Sequence, residues 1–115
     1  MKEKLAKLLK LIDENRNEVE EIIPADGEYY FKFRQKAFSV SKGRTSAFFA
    51  YPKWELPVSL LATMNGTDDP DANYIYITDA ELRQHLNGPV FEKFYEWINA
   101  KNLGADKLFL DLGIE

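Results

Sequence analysis

The sequence predicts an α+β domain: an antiparallel sheet of about four strands, a three-stranded meander plus one, packed with an N-terminal helix and C-terminal helices. Three observations carry this. Apolar residues recur every three or four positions toward both ends of the chain and every second position in the middle. The strand-like runs follow one another directly, without the alternation of strand and helix that a parallel sheet needs. The chain of 115 residues, 45% hydrophobic and 14% aromatic, has the material for one core, so residues 1–115 are expected to form a single domain.

Leu5, Leu8, Leu9, Ile12, Val19, Ile22 and Ile23 lie at helical spacings between charged residues, which predicts an amphipathic helix. Its stripe is interrupted at Arg16, so a kink or break is expected near Asn15–Asn17, and Pro24-Ala25-Asp26-Gly27 stops it. From Glu28 the period becomes two. Tyr29, Phe31 and Phe33 share one face, while Tyr30, Lys32, Arg34 and Lys36 share the other. Parity reverses afterwards, with Phe38 and Val40 apolar, which places a turn or bulge near Gln35-Lys36. Lys42-Gly43-Arg44 is the next turn, and Thr45–Tyr51 reads as a third strand whose adjacent Phe48 and Phe49 imply burial on both faces.

Beyond Pro52, the run from Trp54 to Met64 predicts a short helix with Pro57 in its first turn. A loop follows, then a strand over residues 74–77. Thr78 and Glu81 form a capping box that starts a helix at Asp79. Asn87-Gly88 ends it, Pro89 opens a further helix burying Val90, Phe91, Phe94, Trp97 and Ile98, and Leu103-Gly104 stops that one. Residues 105–115 are short and apolar, and fit a helical turn or a strand equally. Helices should cover one sheet face and leave the other at least partly open to water.

Several function classes are disfavoured. Without cysteine there is no disulfide framework, thiol nucleophile or thiolate metal site, which fits a reducing, cytoplasmic location. The basic N-terminus is interrupted by charges at helical spacing, unlike a signal peptide, and no apolar run approaches the roughly 18 residues of a membrane span. Asn65-Gly66-Thr67 matches a glycosylation acceptor but reads more simply as a turn. His85 is the single histidine, so a histidine-pair metal site or two-histidine acid–base mechanism cannot form within one chain. Asp69, Asp71 and Asn73 alternate like the start of a calcium loop. Tyr74, however, stands where that loop needs glycine, and Glu81 lies one place beyond the position for a bidentate glutamate, now Ala80. Gly43 is alone, so no phosphate-cradling glycine loop is present. Neither metal nor cofactor is expected, and the protein is not expected to be an enzyme.

Charge is the most informative remaining feature. Residues 1–28 carry five Lys/Arg against eight Asp/Glu, residues 29–54 carry six against none, and residues 55–115 carry four against eleven, within a net charge of −4. A basic segment rich in aromatics inside an acidic chain predicts a surface that faces an anion. The expected contact residues are Tyr30, Lys32, Arg34, Lys36, Lys42 and Arg44. The favoured reading is a small cytosolic protein–protein interaction module, of accessory, chaperone, inhibitor or immunity type, that binds an acidic partner through this sheet face. The alternative is a non-specific single-stranded nucleic-acid binder using the same residues, with Tyr30 as a stacking ring. The ordinary structural explanation is that aromatics pack in strands and edge lysines prevent strand pairing. The acidic C-terminal half, with Tyr95, Trp97 and the apolar tail Leu108-Phe109-Leu110, makes a second candidate surface for protein contacts, and packing of the tail against its own domain or in a dimer is the alternative.

Overall fold

In a computed structural model, which describes residues 1–43, 45–64 and 73–114, the chain is an α+β fold built on a five-stranded antiparallel sheet. Helix α1 (Lys2–Glu14) is followed by a short 3-10 turn (Arg16–Glu18), then strands β1 (Val19–Ala25), β2 (Glu28–Phe33), β3 (Lys36–Lys42) and β4 (Ser46–Tyr51). Helix α2 (Val58–Thr63), strand β5 (Ile75–Thr78) and helices α3 (Asp79–His85), α4 (Val90–Asn102) and α5 (Ala105–Asp111) complete it. The strands lie side by side in chain order, each antiparallel to the next.

One expectation is corrected by this topology. Val19–Ala25 is an edge strand and not the second half of the N-terminal helix. The break foreseen near Asn15–Asn17 is there, as the 3-10 turn that Arg16 braces by donating from Nη2 to Asp13 Oδ1 at 2.7 Å. Beyond it, the β-branched Val19, Ile22 and Ile23 favour a strand, and Pro24 is tolerated because β1 lies at the sheet edge. Asp26-Gly27, with φ of 46° and 82°, forms a two-residue turn that joins Ala25 to its partner Glu28. A residue pair that reads as a helix stop is thus the tip of a hairpin.

The second hairpin uses the same geometry without glycine. Arg34 and Gln35 both have positive φ, 47° and 67°, and Phe33 pairs with Lys36. This two-residue loop sits one residue earlier than expected and accounts for the parity reversal, since it places Phe31 opposite Phe38 and Tyr29 opposite Val40.

The first sheet face packs against α1, α3 and α4. Phe31, Phe38 and Phe48 form a row with ring centroids 5.7 Å apart, roofed by Leu5, Leu9, Ile12, Leu82, Phe91, Phe94 and Ile98. The second face is less open than expected, because α2 covers it: Val58, Leu61 and Ala62 pack over Tyr30, Ala37 and Tyr51. Buried Ser39 shares a 2.8 Å hydrogen bond between its hydroxyl and that of Tyr51, so neither is stranded. The Thr78–Glu81 capping box forms as read, with the Thr78 hydroxyl accepting from the Glu81 amide at 3.2 Å and the Glu81 carboxylate accepting from the Thr78 amide at 3.2 Å. No helix among the described residues is long and apolar enough to cross a membrane.

Candidate functional site

The strand register decides what becomes of the basic aromatic stretch. Side chains alternate across a strand, so residues opposite Phe38 and Val40 lie on the first face and those opposite Ala37 and Ser39 on the second. Tyr30, paired with Ser39, therefore lies on the second face, where α2 buries it completely. It is a core residue, so the exposed ring proposed for stacking is absent from this surface. Lys32 follows on the same face, half-buried, with its Nζ 3.9 Å from Glu21 Oε1 of β1.

Arg34 occupies the hairpin tip. Its Nε and Nη2 donate to the two carboxylate oxygens of Glu18 at 3.1 and 2.9 Å, and its guanidinium lies 5.0 Å from the Phe33 ring centroid. The hydrogen bond, ahead of simple charge attraction, holds the Glu18 carboxyl below the usual carboxylate range and pushes Arg34 up. Lys36 and Lys42 belong to the first face, at opposite ends of β3, roughly 20 Å apart at about 3.4 Å per residue. Lys42 sits with its Nζ 5.2 Å from the Tyr95 ring centroid. Arg44 lies outside the described residues.

The absence of acids from residues 29–54 has a cross-strand explanation. β1 and the turn before it supply Glu18 and Glu21 to Arg34 and Lys32, so the charge missing along the sequence is restored across the sheet. The five predicted contact residues that lie among the described residues do not form one continuous basic track.

Two of them do converge. Lys32 and Lys36 line a cleft of about 250 Å³ at the β2–β3 hairpin end, closed on its other side by Trp54, Glu55, Leu56, Pro57 and Val58. The wall is shaped locally: the Trp54 amide donates to the Tyr51 carbonyl at 3.2 Å, and its indole Nε1 donates to the Pro57 carbonyl at 3.3 Å. Glu21 and Glu55 also line the cleft, so it is charge-mixed. Glu21 is engaged by Lys32, whereas Lys36 is exposed and takes part in none of the ion pairs among the described residues. The segment of residues 54–57, expected to open a short helix, instead precedes α2, and only the folded chain brings it beside β2 and β3.

The other candidates are placed as follows. His85 is exposed in the last turn of α3. Asp69 and Asp71 of the calcium-like loop lie outside the described residues, and Glu81 is committed to its cap. Among the described residues no cluster of three or more His, Asp or Glu is arranged to hold a metal. Tyr95 is a structural residue, stacked on Phe91 and donating its hydroxyl to the Gly27 carbonyl at 2.8 Å. Trp97 packs 5.6 Å from the Phe94 ring and beneath the Arg16 guanidinium. Of the second candidate surface, Leu108-Phe109-Leu110 alone remains exposed.

No family model, no curated protein and no solved structure matches this chain.

Proposed function

We propose that this protein is a protein–protein interaction module, of accessory, chaperone, inhibitor or immunity type, that works in the cytoplasm and holds an acidic segment of its partner at the hairpin-end cleft. The observation that carries this reading is the meeting of Lys32 and Lys36 beside Trp54, with Lys36 unneutralised. A partner carboxylate would pair with Lys36, while an apolar neighbour on the same segment would lie against Trp54, Leu56 and Pro57. Trp is among the residues enriched at interface hot spots, so Trp54 would be the anchor and Lys36 the charged contact beside it. The mixed charge of the cleft favours a partner with a defined carboxylate over a uniform polyanion. Single-strand binding gains less from this geometry, since Tyr30 is buried and Lys42 lies at the far end of β3 from Lys36.

The test is fluorescence anisotropy with two labelled probes, a peptide of alternating glutamate and leucine and a single-stranded oligonucleotide, against wild type and Lys36→Glu. Peptide binding that Lys36→Glu weakens by tenfold or more supports the reading. Oligonucleotide binding stronger than peptide binding, with steep salt dependence, would replace it with the nucleic-acid alternative.

A further inference from the structure

The hairpin-end cleft presents two charges of opposite sign that the protein itself leaves unpaired. Lys36 lines it from the start of β3, and Glu55 lines it from the stretch between β4 and α2. Both are exposed, and neither takes part in an ion pair among the described residues, with the other or with a third group. The remaining charges on the walls, Lys32 and Glu21, already face each other, so an occupant meets one available cation and one available anion.

The backbone that carries each charge is held in place. Trp54 anchors the stretch around Glu55 twice, through its amide to the Tyr51 carbonyl and through its indole to the Pro57 carbonyl. Across the cleft, Lys36 pairs with Phe33 in the β2–β3 ladder, and the turn before it is tied by the two hydrogen bonds from Arg34 to Glu18. A segment entering between these walls pairs with both charges without first breaking a contact of the protein, which lowers the cost of binding.

We infer that the segment held by this cleft carries a cation as well as a carboxylate: its acid pairs with Lys36, and a lysine or arginine near that acid pairs with Glu55. The inference rests on the proposed role of the cleft as the site for a partner's acidic segment, and it adds the second charge. A segment with acids alone would bring one of them against Glu55, and like charges brought together across an interface select against that partner. Glu55 is then the residue that sets specificity, while Lys36 supplies the attraction common to every acidic segment.

Fluorescence anisotropy on wild type, Glu55→Gln and Glu96→Gln tests it, with the labelled glutamate–leucine peptide and one of equal length in which every second glutamate is lysine. Glu96, exposed on α4 and outside the cleft, controls for the loss of one negative charge from the protein as a whole. At about 0.15 M salt, where exposed charges more than about 8 Å apart are largely screened, the mixed peptide is expected to bind wild type about three- to fivefold more tightly. Glu55→Gln should lose most of that preference and Glu96→Gln should keep it. Equal binding of the two peptides by wild type, or a preference that Glu55→Gln leaves as large as Glu96→Gln does, overturns the second contact while the acid contact at Lys36 stands. Binding of neither peptide removes the role of the cleft itself, and the inference falls with it.

Discussion

The two faces of the sheet are buried by different means. On the first, Phe31, Phe38 and Phe48 are roofed by three helices, and the contact is wholly apolar at its centre. On the second, Tyr30 and Tyr51 lie under the six-residue α2, and the hydroxyls of buried Ser39 and Tyr51 share a hydrogen bond. The first face is a dense core where the three helices meet the row of rings. The second is a thinner cover that ends at the hairpin, where the loop before α2 leaves the cleft open beside Lys32 and Lys36. The two covers thus give the sheet a thick side and a thin one.

The division is broken most severely from the thick side. Phe94→Ala, which removes a ring 5.6 Å from Phe31, is expected to cost about 3–5 kcal/mol in denaturant unfolding. Leu61→Ala on the thin side should cost about 2 kcal/mol, because the void opens near the surface and can collapse. Equal losses at both positions would show that the two covers contribute alike. Tyr51→Phe sharpens the comparison further: it leaves the Ser39 hydroxyl buried without its partner and should cost about 1–3 kcal/mol, again by denaturant titration.

The charge state of Tyr51 adds a pH signature. Burial, the largest cause, raises its pKa well above 10, so the folded state keeps a proton that the unfolded chain releases. The stabilisation is present below about pH 10 and is lost above it, and Tyr51→Phe should flatten that alkaline limb of a thermal-unfolding profile. Glu18 behaves oppositely and more weakly. Its hydrogen bond to Arg34 depresses its pKa, so that contribution is present above the ordinary carboxyl range of the unfolded chain and is lost as pH falls through the lower folded value. Arg34→Ala should remove a small part of the acid limb, the smallest effect in this set, because both partners are exposed and screened.

How far the fold was legible can be judged from its two hairpins. Both use two-residue loops with positive φ at both positions. Asp26-Gly27 carries the usual residues for such a turn, but the helical spacing of Val19, Ile22 and Ile23 concealed it, since spacings of three and four also occur in a strand with a bulge. That bulge lies between Glu20 and Ile23, where Glu21 has φ of 53°. Arg34-Gln35 carries no turn residue at all, yet the parity change around it revealed the reversal. The capping box and the Pro89 helix start could be read directly, because each is a local hydrogen-bonding or steric requirement. The fate of the basic residues could not. It depends on which strand lies beside β2, and the segment that neutralises Lys32 and Arg34 is the one that resembled a helix. The cover of Tyr30 by α2 and the convergence of Trp54 on Lys36 likewise depend on the path of the connection that leads from β4 into α2.

The account places a partner's carboxylate at Lys36, beside Trp54. The most direct measurement is a two-dimensional ¹H–¹⁵N NMR titration of the protein with the glutamate–leucine peptide. Shifts confined to the amides of Lys32, Lys36 and Ala37 and to the Trp54 indole, with Lys42 at the far end of β3 unmoved, are the predicted result. Shifts centred on Lys42 and Tyr95, or none at peptide concentrations that saturate a weak site, would contradict it.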